Sequence, residues 1–68
     1  MTAKQMKEWR EKMEWSQAEA ARRLGLHYKT LRNYERGRRD DGEPSPIPRP
    51  VALACGALAL GLRDYPTT

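Results

Sequence analysis

The sequence predicts an all-α protein, a compact bundle of four or five helices. Apolar side chains recur three and four positions apart from Met6 to Met13, and Leu31 and Tyr34 are three positions apart, which places each set on one face of a helix. Helix starts are indicated by capping patterns at residues 2–5 and 16–19, and helix ends by glycines. A further stretch, Val51 to Leu62, is apolar over twelve residues, as expected of a core or interface helix.

The centre of the chain, Gln17 to Gly37, has the pattern of two short helices joined by a tight turn. Ala21 is small enough to lie where one helix crosses the other, and Gly25 can adopt the left-handed backbone that a sharp turn needs. The inner faces carry Leu24, Leu26, Leu31 and Tyr34. This spacing predicts a helix-turn-helix, a unit whose second helix enters the major groove of DNA.

Helix one is predicted to begin after Thr2, because Thr2 and Gln5 can form a capping box in which each side chain accepts a backbone N–H. Met6, Trp9 and Met13 then share one face and should lie in the core. Stacking of Trp9 or Trp15 on nucleic-acid bases is the alternative, and the helical spacing favours core packing.

Helix two is predicted to begin after Ser16, where Ser16 and Glu19 have the spacing of a second capping box. The first backbone N–H groups of a helix point outward and attract anions. We therefore predict phosphate contacts at Ser16 and Gln17. For Ser16, capping and phosphate contact are compatible.

Helix three is predicted to run from His27 or Tyr28 to Arg36 and to end at Gly37. With Leu31 facing inward, the outward side chains are Tyr28, Lys29, Arg32 and Asn33. Lysine can donate to guanine and asparagine can pair with adenine, so we predict that these side chains read bases. The same composition is also found on ordinary solvated helices, so the prediction depends mainly on the turn that precedes them.

Positive charge is concentrated on and after helix three. The chain has 13 Lys+Arg and 9 Asp+Glu, a net charge of +4, but Arg22 to Arg39 contains seven basic residues and one acidic residue, a local charge of +6. Solvated helices usually mix both signs, so this patch favours a nucleic-acid partner. The predicted phosphate contacts beyond helix two are Arg36, Arg38 and Arg39. The acids of the following loop should turn away from DNA: Asp40, Asp41 and Glu43.

Helix four is predicted from about residue 48 to 62, after a loop rich in helix breakers that ends at Ile47. Pro48 or Pro50 should lie in its first turn. A helix that is apolar all round must be covered all round, so one face should pack on helix one and the rest on a second copy of the chain. The predicted dimer contacts are Val51, Ala54, Cys55, Leu58 and Leu62. Residues 1–63 thus form one domain, with a short tail at 64–68.

Length and composition restrict the function. A 68-residue chain buries only about 60% of its unfolded surface, which leaves little room for an enzyme's cleft. His27, Cys55 and the loop acids lack the spacing of metal ligands or of a catalytic nucleophile, so we expect no enzyme activity, metal or cofactor. A single cysteine, a polar start and an apolar run shorter than the roughly 20 residues of a membrane span indicate a cytoplasmic, nucleoid-associated protein without membrane contact.

The residues above resemble the Cro and phage-repressor (XRE) family of helix-turn-helix DNA-binding proteins, which implies a lambda-repressor-like fold. The resemblance covers Met6 to about Leu62. It is carried by Trp9-Arg10, Trp15-Ser16-Gln17, Ala21 to Gly25, Thr30 to Gly37 and Ile47-Pro48. Small phage and bacterial autorepressors are similar, among them regulators encoded beside anti-CRISPR genes. The resemblance implies a phosphate contact at Gln17, base contacts at Tyr28, Lys29 and Asn33, and a salt bridge between Arg10 and Glu35.

Three positions depart from the pattern of that family. Glu14 stands where glycine is usual, so the exit of helix one should be extended or strained. His27 stands where Ser or Thr normally caps the reading helix, so either the helix start is less well satisfied or His27 contacts a base or phosphate. The insertion at residues 40–46 leaves the route of the loop open.

The predicted function is sequence-specific transcriptional repression by a homodimer bound to an inverted-repeat, palindromic operator. The resemblance adds the expectation that the protein regulates its own operon. No small-molecule effector is expected. The alternative is a protein-interaction module, such as an antitoxin, that binds a partner through the apolar helix four.

Overall fold

The computed structural model describes residues 1–65 and contains, in that range, four helices. They are α1 (Ala3–Lys12), α2 (Gln17–Leu24), α3 (Tyr28–Arg36) and α4 (Arg49–Ala59). α3 packs against α1 and α2, and α4 packs against the same two helices. The prediction of an all-α bundle of four helices, possibly five, is confirmed, with four in the described range. Part of the predicted tail, residues 66–68, lies outside the described residues. None of the helices in residues 1–65 is long and apolar enough to span a membrane.

The helix starts follow from side-chain caps. The capping box of α1 is confirmed: Gln5 N–H donates to Thr2 Oγ1 at 3.0 Å, and Thr2 N–H donates to Gln5 Oε1 at 2.8 Å. The second box forms only in part. Ser16 Oγ accepts from Glu19 N–H at 3.1 Å, but the Glu19 carboxylate binds two arginines one turn ahead of it. Two guanidinium groups at spacings of three and four attract a carboxylate more strongly than one backbone N–H does.

The helix ends follow from left-handed residues. Gly25 and Gly37 terminate α2 and α3 with φ of 72° and 79°, as predicted. Gly61 does the same for α4, with φ of 74°, and the N–H of Leu62 returns to the carbonyl of Ala57 at 2.9 Å. The predicted end of helix four at residue 62 is therefore wrong, because this glycine stops the helix at residue 59.

The core is small and is built from all four helices of the described range. Its buried residues are Met6, Trp9, Ala20, Ala21, Leu31 and Cys55. Trp9 and Trp15 meet edge to face with ring centroids 5.8 Å apart, so Trp15, like Trp9, is used for packing.

Cys55 requires a correction to the predicted dimer interface. It is only 1% exposed, because α4 turns this position toward α1 and α2, with Val51 and Leu58 partly buried around the same core. A side chain that is buried within its own chain cannot contact a second copy. The prediction that Cys55 lies in the dimer interface is wrong.

Candidate nucleic-acid interface

The position of α3 is set by its inner face. Leu31 is fully buried, Tyr34 packs against the core, and Ala20 and Ala21 form the buried side of α2. Leu26 N–H donates to the carbonyl of Ala21 at 2.8 Å, which closes the turn between the two helices. Small residues on α2 allow the helices to approach closely, and the tight turn leaves α3 little freedom to rotate. Its opposite face is therefore presented to solvent.

A largely buried ion pair joins α3 to α1. Arg10 Nε donates to Glu35 Oε2 at 2.6 Å and Arg10 NH2 to Glu35 Oε1 at 3.0 Å. The third nitrogen, NH1, donates to the carbonyl of Trp15 at 3.0 Å. The Glu35 side chain is 5% exposed, so this acid faces inward as the resemblance implies, and its hydrogen bond raises the pKa of Arg10. Among residues 22–39 the single acid is thereby kept away from the outer face.

Gln17 is part of the same network. Its Nε2 donates to Glu35 Oε1 at 3.3 Å, so the side-chain amide is directed to the ion pair. What Gln17 offers to a phosphate is then chiefly its backbone N–H at the start of α2. Ser16, beside it, is exposed and caps the helix through Oγ.

The predicted base readers on the outer face of α3 differ in solvent exposure. Tyr28 and Lys29 are exposed, whereas Arg32 and Asn33 are half-buried. The Arg32 guanidinium lies 5.8 Å from the centroid of the Tyr28 ring, within the range of a cation–π contact. The Asn33 Oδ1 accepts from Arg36 NH2 at 2.9 Å. Asn33 keeps a second lone pair on this oxygen, so adenine pairing remains available to it.

His27 caps α3. Its Nδ1 accepts from the backbone N–H of Lys29 at 3.1 Å, which is the bond that a Ser or Thr hydroxyl would make. The expectation of a less satisfied helix start is therefore wrong. An imidazole that accepts at Nδ1 carries its proton on Nε2 when neutral, so that N–H is the group that His27 can offer to DNA.

The predicted phosphate arginines Arg36, Arg38 and Arg39 are all exposed at and after the end of α3. The basic residues Arg22 and Arg23 are different, because Glu19 binds them at 2.8 and 3.0 Å. The local positive charge that the sequence shows is thus reduced on α2. At α3 and the segment that follows it is reduced as well, because Asp40 pairs with Arg32 and Arg36, and Asp41 pairs with Arg39.

The loop after α3 contradicts one prediction. Asp40 does not turn away from the reading helix: its Oδ1 accepts from Arg36 NH2 at 2.8 Å and from Arg32 NH2 at 3.3 Å. The hydrogen bond from Arg36, together with the charge of Arg32, lowers the pKa of the Asp40 carboxyl. No local spacing indicates this contact, because the left-handed Gly37 ends the helix between Arg36 and Asp40.

The helix-turn-helix fold, with the exposed and basic outer face of α3, is typical of DNA-binding domains. The Helix-turn-helix family model, HTH_3, matches residues 6–46, and the chain belongs to this XRE/Cro-type family of DNA-binding transcription regulators. The matched range includes α2 and α3, and most of α1 and of the loop after α3. No curated protein and no solved structure matches the chain.

Proposed function

We propose that the protein is a sequence-specific repressor that binds a palindromic operator as a homodimer, with α3 of each subunit in successive major grooves. The observation that carries this is the division of α3 into two faces: Leu31 and Glu35 are locked inward, while Tyr28 and Lys29 project into solvent. Half-site centres would then be about 34 Å apart, one turn of DNA.

The base-reading set of the proposal is Tyr28, Lys29, Arg32 and Asn33, with His27 at the helix start. The phosphate set is Ser16, Gln17, Arg36, Arg38 and Arg39. Repression would follow from occlusion of RNA polymerase at the operator. Regulation of the protein's own operon, in the bacterial nucleoid, is a further part of the proposal.

The test begins with selection of bound sites from a random duplex pool. Lys29→Ala/Asn33→Ala should lose about 1–3 kcal/mol per lost base contact on the selected site, and so lose discrimination against random duplex. Lys7→Ala serves as the control. It removes one positive charge from an exposed position of α1 that belongs to neither the base-reading nor the phosphate set. Equal operator binding by the double variant and the Lys7 variant would contradict the role of α3.

The dimer surface proposed here differs from the one expected from sequence. Val51 and Leu58 are partly buried against the core, whereas Leu53, Leu60 and Leu62 are 60%, 79% and 58% exposed. Leu53 and Leu60 are seven residues apart and so lie on one face of the helix and its final turn. Exposed leucines at this spacing are more typical of an interface than of a free surface.

Dimerisation is tested with Leu60→Glu. A charge in the centre of an apolar interface should convert a dimer into a monomer in sedimentation experiments and weaken binding to the full operator. A duplex with a single half-site is the internal control, because it engages one subunit and its affinity should stay the same. A wild-type chain that sediments as a monomer would instead favour the alternative, a partner protein bound through α4.

A further inference from the structure

Backbone hydrogen bonds across the loop after α3 fix its path and therefore the position of Asp40. Arg39 N–H donates to the carbonyl of Glu43 at 2.8 Å, and Gly42 N–H donates to the carbonyl of Arg39 at 3.0 Å. Gly42, with φ of 86°, allows the reversal between these two bonds. A third bond, from Ser45 N–H to the carbonyl of Gly37 at 3.1 Å, ties the far side of the loop to the end of α3. The position of Asp40 is thus set by the backbone.

From this position the Asp40 carboxylate reaches the centre of the outer face. Arg32 and Arg36 are one helical turn apart, and both donate to the same oxygen, Oδ1. Arg36 also donates to Asn33 Oδ1, and the Arg32 guanidinium lies over the Tyr28 ring. One acidic side chain therefore connects, directly or through an arginine, to four residues of the proposed DNA-contacting set.

Two physical consequences follow for DNA binding. The flexible side chain of an arginine loses conformational entropy when it binds DNA. A partner that already orients the guanidinium reduces that loss. The planar guanidinium distinguishes guanine from the other bases only when its orientation is defined. A carboxylate beside the phosphates also repels any duplex, so it weakens binding that is not compensated by base contacts.

We propose that Asp40 is a specificity-determining residue of the DNA interface, which orients Arg32 for a base-selective contact and Arg36 for its phosphate contact, and lowers the affinity of α3 for DNA of arbitrary sequence. This inference depends on the proposed role of α3 in DNA reading. It assigns to the loop a function in discrimination, where the sequence predicted only that its acids avoid DNA.

The experiment compares Asp40→Asn with Asp41→Asn. Both variants remove one negative charge from the same exposed loop, but Asp41 pairs with Arg39, at 3.3 Å, and not with an arginine of α3. Dissociation constants are measured for the selected operator and for a random duplex of equal length, over a range of salt concentrations.

Asp40→Asn should bind random duplex more tightly, with the salt dependence steeper by about 0.9 for each arginine that reaches a phosphate. Its ratio of specific to random affinity should fall about tenfold, equivalent to about 1.4 kcal/mol. Asp41→Asn should keep the wild-type ratio. Equal changes of the ratio in the two variants, or an unchanged ratio in Asp40→Asn, would overturn the inference.

Asp40→Glu separates charge from position. It keeps the negative charge but lengthens the side chain by one methylene, so random-duplex affinity should remain low while the specificity ratio falls. A wild-type ratio in this variant, with a reduced ratio in Asp40→Asn, would leave only the charge effect and overturn the orienting role. If the wild-type protein selects no sequence at all, the proposed function fails first; selective wild-type binding with no effect of Asp40 rejects this inference alone.

Discussion

At the scale of single residues, Glu14 has a strained backbone conformation at the end of α1, whereas the left-handed residues that end α2 and α3 are glycines. Its φ is 60°, in the left-handed region, where it follows the last turn of α1. Trp15 N–H donates to the carbonyl of Arg10 at 3.3 Å across this residue, the pattern of a Schellman motif, in which glycine normally takes the left-handed place. Of the two outcomes expected for this exit, the structure has the strained one. A side chain pays about 1–2 kcal/mol for that conformation.

Glu14→Gly should therefore stabilise the protein by about 1 kcal/mol, measured by urea denaturation, because it removes the strain at some cost in chain entropy. Glu11→Gly is the matched control. It makes the same substitution within α1, on an exposed helical residue, and should destabilise by about 1 kcal/mol. Destabilisation by both substitutions would contradict the assignment of strain to Glu14.

His27 is the second single residue with a defined contribution, since its ring nitrogen replaces a hydroxyl as the cap of α3. His27→Ala removes the acceptor of the Lys29 N–H and should cost about 1 kcal/mol of unfolding free energy. His27→Ser restores an acceptor and should be close to the wild type in the same thermal or urea measurement. Indistinguishable stabilities of the Ala and Ser variants would mean that the cap contributes nothing.

At the scale of helices, the Arg10–Glu35 pair adds to the hydrophobic contacts that fix the orientation of α3. The pair is largely buried, with side chains 16% and 5% exposed, so its attraction is largely offset by the desolvation of both charges. Its main effect is on geometry, because three donors of Arg10 are satisfied only when α1, α3 and Trp15 are in this arrangement.

Arg10→Met should destabilise by about 3 kcal/mol, since it leaves the Glu35 carboxylate buried without its partner. Arg10→Met/Glu35→Leu should recover most of that loss in urea denaturation. Operator affinity should stay reduced in the double variant even where stability returns, because α3 is no longer held in one orientation. A double variant as unstable as Arg10→Met would indicate that the pair itself stabilises the fold.

At the scale of the whole molecule, the ionisation of Cys55 depends on the packing of α4 against α1 and α2, because this packing buries the thiol. Burial raises the pKa of the Cys55 thiol from 9.0 to about 11. Between these pH values the thiol ionises in the unfolded chain and stays protonated in the native state. The unfolded state then binds fewer protons, so stability falls as pH rises.

We expect the wild type to lose about 2 kcal/mol of unfolding free energy from this group between pH 9 and 11. Cys55→Ala lacks the thiol but keeps every other titrating group, so subtracting its pH profile isolates the effect of Cys55. A difference between the two proteins that does not change with pH would mean that the thiol is accessible to water in the native state.

The helices and their inner faces follow from the sequence because the signals act within one or two turns. The cap at Thr2, the terminating Gly25 and Gly37 and the apolar spacing around Leu31 each concern residues a few positions apart. Local chemistry of this kind is readable without knowledge of the rest of the chain, and it sufficed to predict α1, α2, α3 and the helix-turn-helix.

Tertiary structure decided what depends on residues brought together by the fold. An apolar helix without a polar side does not indicate which face packs inward, so the burial of Cys55 and the exposure of Leu53 and Leu60 became known only from the packing of α4. The path of the loop depends on hydrogen bonds that close across it, so the return of Asp40 to the reading helix was likewise beyond local patterns. Sequence determined the helix α3 itself; the fold decided which charges lie beside it.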